Sequence, residues 1–312
     1  MRSRATMLLA MLLLAVLATA LAAGCQRGGG GEGGSGARIG LSVSTLNNPF
    51  FVTLRDGAQS AADEAGAELI VSDAQNDTAQ QQDDIQNFIT QQVNVILVNP
   101  VDSDAVVPAI EAANQANIPV IALDRGASGG EIATTIASDN VQGGNLAGEE
   151  LIRLVGSGSV AQLEGIPGAE PARDRGQGFQ DAIAAQSAVE VVASQTANFD
   201  RGEGLNVTEN ILQANPDVAG IFAQNDEMAL GAVQALGDSA GDEVKVVGFD
   251  AIEDALSAIQ DGAMNATIAQ QPEVMGSLGV ENAISIINGE SVEENIPVEV
   301  QLVTQENVSE FL

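Results

Sequence analysis

The sequence has no histidine, no tryptophan and no tyrosine, and it contains a single cysteine, Cys25. Without histidine, His-based catalytic triads and the common zinc sites are excluded. One cysteine cannot form an intramolecular disulfide. The sequence also lacks a nucleophile elbow and a dinucleotide-binding glycine motif, so it predicts no catalytic residues, no metal and no cofactor.

Basic residues are scarce as well, with 11 lysines and arginines against 43 acidic residues in a chain of 312, a net charge of −32. Without Arg2 and Arg4, which fall in the signal described next, nine basic residues remain and the net charge is −34. Acidic residues spread along the whole chain repel nucleic acid and anionic lipid. We interpret this as a halophilic, solvated surface; a store of cations is the alternative.

Residues 1–24 have the pattern of an export signal, because the apolar run 7–23 follows two arginines and is short for a membrane span. The run ends in Leu-Ala-Ala-Gly-Cys, which resembles a bacterial lipoprotein cleavage box and predicts that Cys25 becomes a lipidated N-terminus. The glycine-rich residues 25–37 predict a flexible tether. The predicted location is the cell envelope, where the lipid alone attaches the protein to the membrane. An ordinary signal followed by an unmodified cysteine is the alternative.

From Arg38 onward, short β-branched runs alternate with longer amphipathic segments. Strand candidates include AELIVSD, VNVILVNP, VKVVGFD and the last one, IPVEVQLV; helical segments include NPFFVTLRDGAQSAADEAG and DEMALGAVQALGDSA. Repeated β-α units predict parallel sheets with helices on both faces. Ten or eleven strands over this length predict an α/β fold of two lobes.

Most of the predicted strands end in a hydrogen-bonding side chain. In open α/β sheets, ligands bind beyond the carboxyl ends of the strands. One such residue alone would be interpreted as a helix cap or turn former. Asp104, Asp139, Asp200 and Asp226 are assigned the capping role. The whole set instead predicts a polar cleft, and its members are Ser44, Asn99, Asp124, Arg125, Asn225, Asp250 and Gln270.

The summed formal charge of these groups is close to zero once one of Arg173 and Arg175 is added to the set. Carboxylates accept hydrogen bonds from hydroxyls, while guanidinium and amide groups donate them. The pattern therefore favours a neutral, hydroxyl-rich ligand such as a sugar. The adjacent Phe50 and Phe51 in the segment STLNNPFF, which begins at Ser44, would cover the apolar C–H faces of the ring.

A glycosidase-like pair, Asp124 and Asp250, is the enzymatic alternative. We expect neighbouring arginines to keep both carboxylates ionised and therefore unsuitable as general acids. Binding without catalysis is accordingly the prediction.

The chain resembles the D-ribose-binding proteins of bacterial ABC importers, a family of periplasmic sugar-binding proteins, in nine segments: STLNNPFF, VNPVDSDAV, ANQANIPVIALDR, IASDNVQGG, ARDRGQGF, ANFDRGEGLNV, FAQNDEMALGA, VVGFD and ATIAQ. The resemblance extends from about residue 39 to about residue 303. It implies two Rossmann-like lobes of the type I periplasmic-binding-protein fold, joined by a three-segment hinge. The implied limits are 38–138 plus 271–299 for the N-terminal lobe, and 139–270 plus 300–312 for the C-terminal lobe.

The same resemblance implies which residues contact the sugar. In the first lobe they are Ser44, Asn48, Phe50, Phe51, Asn99, Asp124 and Arg125. In the second lobe they are Arg175, Phe199, Asn225 and Asp250, with Gln270 at the hinge. Phe199 and the choice of Arg175 over Arg173 come from the resemblance alone.

The implied partners are D-ribose and a membrane ABC permease, to which a monomeric, closed receptor presents the sugar. Another small sugar, such as allose or a furanose-like signal molecule, is the alternative ligand. A chemoreceptor is the alternative protein partner. The tether, the acidity and the near absence of lysine depart from the soluble periplasmic members, so docking on the permease through charged surface pairs does not carry over directly.

Overall fold

A computed structural model describes residues 36–312 of the chain. The predicted signal at residues 1–24, the lipidation site Cys25 and the tether as far as residue 35 lie outside the described residues. Within residues 36–312 no helix is both long and apolar enough to cross a membrane.

The described part of the chain contains twelve strands and nine α-helices. The strands are β1 (Arg38–Val43), β2 (Glu68–Asp73), β3 (Val95–Val98), β4 (Val120–Leu123), β5 (Thr134–Ser138), β6 (Gly158–Glu164), β7 (Val189–Thr196), β8 (Val218–Ala223), β9 (Lys245–Asp250), β10 (Ala266–Ala269), β11 (Asn295–Val298) and β12 (Gln301–Thr304). The helices are α1 (Pro49–Ala65), α2 (Thr78–Thr90), α3 (Val107–Gln115), α4 (Asn140–Val155), α5 (Glu170–Ala184), α6 (Arg201–Ala214), α7 (Asp226–Leu236), α8 (Glu253–Asp261) and α9 (Pro272–Ile287).

The strands form two six-stranded sheets with matching layouts. The first has the order β11-β5-β4-β3-β1-β2 and the second the order β12-β10-β9-β8-β6-β7. All pairings are parallel except that of β12, which runs antiparallel to β10. Helices pack on the sheets, so strands such as β3 and β4 are buried along their whole length. The predicted two-lobed α/β class is confirmed.

The chain passes between the sheets three times: after β5, after β10 and between β11 and β12. The prediction of IPVEVQLV as one strand is wrong, because its first half belongs to β11 and its second half to β12 in the other sheet. Only residues 299 and 300 separate these strands, which is why an unbroken alternating pattern conceals the crossing. The lobe limits named above stay a prediction.

Helices α1 and α9 approach each other closely enough that their backbones touch. A side chain on Gly57 would collide with the backbone of Glu273, and one on Gly276 would collide with the backbone of Leu54. Equivalent glycine pairs join α4 to α5 and α6 to α7. Because these contacts are made by backbone atoms, each helix pair is held at a fixed, short separation.

The capping predictions are half confirmed. Asp139 and Asp200 cap α4 and α6, accepting hydrogen bonds from backbone N–H groups of the first turn. Asp104 is not a cap, because α3 begins after Val106 without a side-chain cap. The N-cap of α7 is Asn225 rather than Asp226, since the Asn225 side chain accepts from the Met228 N–H group.

Candidate functional site

Ten of the twelve residues predicted to bind a ligand line one cavity where the strand ends of the two sheets face each other. The space that they line is about 260 Å³, including the part that is open to solvent. The lining also includes Pro171, which no sequence argument found although it opens α5 soon after β6. The ten predicted residues are Asn48, Phe50, Phe51, Asp124, Arg125, Arg175, Phe199, Asn225, Asp250 and Gln270.

The start of α1 presents both phenyl rings to this cavity. Asn48 caps the helix by accepting a hydrogen bond from the Phe50 N–H group at 2.9 Å, and Pro49 supplies a fixed φ for the first turn. The rings of Phe50 and Phe51 meet edge to face, with centroids 5.1 Å apart. Both rings also contact the apolar core and are almost fully buried. They therefore belong to the cavity wall and to the core.

Asn99 and Ser44 lie behind the lining rather than in it. The Asn99 side chain accepts from the Ser44 N–H group at 3.1 Å and donates to Asp124 Oδ2 at 3.1 Å and to the Leu123 carbonyl at 3.0 Å. The Asn99 side chain thus orients the Asp124 carboxylate at the end of β4. That Ser44 and Asn99 contact the ligand directly remains a prediction.

On the first sheet, Asp124 and Arg125 form a buried pair, with 3.5 Å between Arg125 Nε and Asp124 Oδ2. Arg125 Nη1 donates to the Pro100 carbonyl at 3.0 Å. Its guanidinium lies 5.1 Å from the ring centre of Phe51 and 5.5 Å from that of Phe199. Because Phe199 follows β7 of the other sheet, the arginine joins the two sides of the cavity.

On the side of the second sheet, Arg175 of α5 is the arginine that reaches the cavity. It donates from Nε to Asn140 Oδ1 at 2.8 Å and from Nη1 to the Gln224 carbonyl at 2.7 Å. Nη1 also lies 3.7 Å from Asp250 Oδ1. Arg173, two residues earlier, is exposed and donates to the Gly168 carbonyl instead. Helix α5 therefore presents one of the two candidate arginines to the cavity and the other to solvent.

Two turns with uncommon backbone geometry complete the second side. Phe199 has a φ of 60°, and its carbonyl accepts a hydrogen bond from Asn225 Nδ2 at 3.3 Å. Asp250, at the end of β9, has a φ of 123° and accepts from Gln270 Nε2 at 2.7 Å. A positive φ at non-glycine residues is uncommon and often marks functional sites. Neither conformation can be read from residue order.

Some buried polar atoms of the described residues lack a hydrogen-bond partner within the protein. Two of them belong to residues of the cavity wall, namely Asp124 Oδ1 and Gln270 Oε1. Leaving a buried acceptor unsatisfied costs about 1–3 kcal/mol. Both atoms can accept hydrogen bonds, so the cavity has unused capacity for a ligand that donates them.

Burial dominates the ionisation of the cavity acids. It raises the pKa of Asp250 to about 7, although the charge of Arg175 and the hydrogen bond from Gln270 lower it. Burial also raises the pKa of Asp124 above its usual range, against the lowering effect of Arg125 and Arg175. The expectation that arginines keep both acids readily ionised is therefore wrong for Asp250, since desolvation outweighs its neighbours.

Direct contacts between the two sides close the rim of the cleft. The Gly126 N–H group, just after β4, donates to Glu170 Oε2 at 2.6 Å. The Ser103 N–H group donates to the Gly168 carbonyl at 3.0 Å. Gly168 lies between β6 and α5, and Glu170 is the first residue of α5. Both bonds therefore connect opposite sides of the cleft.

Residues 39–291 match the protein-family sequence model for the periplasmic binding protein domain. The chain therefore belongs to the periplasmic binding protein family. It is 51% identical over 269 residues to the ribose import binding protein RbsB of Escherichia coli (strain K12), covering 86% of this chain and 90% of that protein. The corresponding protein of Bacillus subtilis (strain 168) is 48% identical over 268 residues, covering 86% and 87% of the two chains.

Solved structures with the same fold carry different ligands. An ABC transporter solute-binding protein from Bacillus halodurans C-125 with bound myo-inositol superimposes with a TM-score of 0.84 at 37% identity, covering 89% of this chain and 98% of that one. One from Actinobacillus succinogenes 130z with bound D-allose has a TM-score of 0.82 at 35% identity, covering 88% and 99%.

The raised pKa of Asp250 predicts a pH dependence of stability. Because its folded-state pKa of about 7 exceeds the ordinary value of 3.8, the contribution of Asp250 favours the folded state in acid and is lost as pH rises through that window. We expect the melting temperature of the sugar-free protein to fall less between pH 5 and pH 8 in Asp250→Asn than in the unmodified protein. Thermal melts monitored by circular dichroism measure this.

Glu190→Gln, which removes one exposed carboxylate on β7, serves as the control for loss of a negative charge. An equal fall in Asp250→Asn and in the unmodified protein would show that Asp250 does not titrate in this window.

Proposed function

We propose that this chain is the substrate-binding component of a bacterial ABC sugar importer and captures D-ribose in the cavity between its lobes. The carrying observation is that the acids, arginines, amides and phenyl rings predicted from sequence converge on one buried cavity. About half of the aligned residues are identical to those of ribose import binding proteins, which supports the choice of sugar.

The cavity chemistry suits a small neutral sugar. Asp124, Asp250 and Gln270 offer acceptors for hydroxyl protons, while Arg125 and Arg175 offer donors. Hydrogen bonds to charged groups contribute about 1.5–3 kcal/mol each and neutral ones about 1 kcal/mol, so several together reach micromolar affinity or tighter after the costs of association. The Phe50 and Phe51 rings supply apolar contacts for ring C–H groups.

Capture follows from hinge closure. We take the lobes to be residues 38–138 plus 271–299 and residues 139–270 plus 300–312. A ligand that touches both lobes favours the closed state, because only there are all its contacts made. The rim bonds from Gly126 and Ser103 add contacts that exist only when the cleft is closed.

The protein is proposed as a receptor rather than an enzyme. The relatives it resembles are named as binding proteins. Because its pKa is raised, Asp250 can carry a proton. Its Oδ1, however, already accepts a hydrogen bond from Gln270 and lies beside Arg175, which suits a group that binds rather than one that transfers a proton.

Beyond the sugar, the proposal includes a lipid-anchored receptor that delivers its ligand to a membrane permease. The signal pattern, Cys25 and the glycine-rich tether support the anchor, and the relatives' importer names support delivery. The acidic composition supports function in high salt.

Allose is the second candidate ligand, because a relative of known structure was solved with D-allose bound. A furanose-like signal is a third candidate. A sensory role, in which the closed form docks on a chemoreceptor, is compatible with any of these ligands.

The ligand assignment predicts heat on titration of D-ribose into the mature chain in high salt, with weaker binding of 2-deoxyribose and of ribose epimers. Sites that hydrogen-bond a hydroxyl discriminate strongly against analogues that lack it. Isothermal calorimetry with this panel, extended to D-allose and myo-inositol, measures it. No heat with ribose but heat with another sugar would sink the ribose assignment and leave the receptor class standing.

Truncation of Phe50 should weaken sugar binding by about tenfold or more, because it removes an aromatic contact in the cavity. Its ring borders both the ligand cavity and a second cavity beside Pro272, so only part of the ring packs against the core. We expect Phe50→Ala to lower the melting temperature less than Phe88→Ala does. Phe88, a fully buried α2 residue away from the cavity, is the matched control and should leave the affinity unchanged.

The opposite pattern, unchanged affinity with a loss of melting temperature as large as that of Phe88→Ala, would make Phe50 a core residue only.

The anchor predicts a mature N-terminus at Cys25 that carries acyl chains. Mass spectrometry of the N-terminal peptide from membranes of the native host measures this. A mature chain with a free Cys25 thiol, or cleavage elsewhere, would leave a receptor without an anchor.

A further inference from the structure

Asp226 is a buried carboxylate that lies outside the cavity wall yet adjoins it in the chain. It is the first residue of α7 and has no exposed surface. The cap of that helix is Asn225, so Asp226 is not needed for capping. A buried carboxylate is costly unless its oxygens are hydrogen-bonded, so its partners indicate its role.

Those partners connect three elements of the second lobe. Thr267 Oγ1, on β10, donates to Asp226 Oδ1 at 2.7 Å, and the Ile252 N–H group donates to Asp226 Oδ2 at 3.0 Å. A side chain on Gly248, which pairs with Thr267 across the sheet, would collide with Asp226 Oδ1. The absence of a side chain at Gly248 therefore leaves room for this carboxylate against the sheet, and the Thr267 hydroxyl donates a hydrogen bond to it.

The bond to Ile252 acts on the turn that carries Asp250. In that turn Asp250 has a φ of 123° and Ala251 a φ of 61°, both unfavourable for side-chain-bearing residues. Such geometry persists only where surrounding contacts hold it. The Asp226 carboxylate holds the backbone immediately after the two strained residues.

We propose that Asp226 is a positioning residue: it fixes the 250–252 turn so that the Asp250 carboxylate points into the cavity beside Arg175 and Gln270. Its part in ligand binding rests on the function proposed above; its hold on the turn does not. Asp226 makes no ligand contact of its own and acts through Asp250. Burial and the charge of Asp250 both raise the pKa of Asp226, which agrees with a carboxyl group kept inside the lobe for its geometry.

The test that needs no ligand is amide hydrogen exchange at Ile252 in the sugar-free protein, followed by NMR. Asp226→Ala should speed this exchange by about tenfold or more, since the N–H group loses its acceptor. Asp226→Asn should restore protection to within about threefold, because the amide oxygen can accept from Ile252 while its NH₂ donates to Thr267 Oγ1. Unchanged exchange at Ile252 in Asp226→Ala overturns the proposal.

The binding test is a double-mutant cycle between Asp226→Ala and Asp250→Ala, with D-ribose as the probe. Asp226→Ala alone should weaken binding by about tenfold, and Asp226→Asn by less than about threefold. In an Asp250→Ala background, Asp226→Ala should cost less than about threefold more, because the group it positions is gone. Fully additive losses overturn the proposal.

Val160→Ala, a truncation on β6 in the core of the same lobe, controls for general loss of stability. It should lower the melting temperature while leaving the ribose affinity within about threefold. If ribose produces no heat, or Asp250→Ala leaves its affinity unchanged, the proposed function fails, whereas the exchange of Ile252 still decides whether Asp226 holds the turn.

Discussion

Four ionisable side chains are buried where the strand ends of the two sheets meet: Asp124 and Arg125 on the side of the first sheet, Arg175 of α5 and Asp250 on the side of the second. Moving a charge out of water is costly unless it is paired and hydrogen-bonded. Each side supplies one acid and one base, so each of these four groups has a partner of opposite formal charge on its own side. The cavity between them can therefore be polar and closed at once.

The geometry of these groups is set by neighbours that do not line the cavity. Asn99 orients Asp124 from behind, Asn140 orients the guanidinium of Arg175, and Asp226 holds the turn that carries Asp250. All three act through hydrogen bonds to backbone or side-chain atoms. Sites supported in this way keep their shape without a ligand, which lowers the ordering cost of binding.

Sequence predicted the parts of the site that follow buried strands. Asn99, Asp124 and Asp250 stand directly after, or at the end of, apolar runs, and the carboxyl ends of parallel strands share one edge. The alternation of strand and helix predicted the class of fold for the same reason, because burial on both sheet faces is visible as continuous apolar runs.

What sequence concealed depends on three-dimensional placement. Phe199 looks like any apolar residue between a strand and a capped helix, and only the structure shows its φ of 60° and its place in the cavity wall. Arg173 and Arg175 differ by two positions, and only the packing of α5 decides which is buried. The passage from β11 to β12 needs two residues, too few to interrupt the pattern. Tertiary contacts, which leave no local pattern in the sequence, decide the place of Phe199, the burial of Arg175 and the crossing from β11 to β12.

The same buried charges explain why closure would depend on a ligand. Asp250 is buried in the cleft, and its raised pKa reflects the cost of that burial. The rim bonds of Gly126 and Ser103 offset part of it, and each neutral or charge-assisted hydrogen bond contributes only about 1–3 kcal/mol. A hydroxyl-bearing ligand that donates to Asp124 Oδ1 and Gln270 Oε1 would satisfy acceptors that the closed protein leaves unpaired. Ligand and closure are then coupled through those atoms, because neither acceptor has a hydrogen-bond partner within the described protein residues.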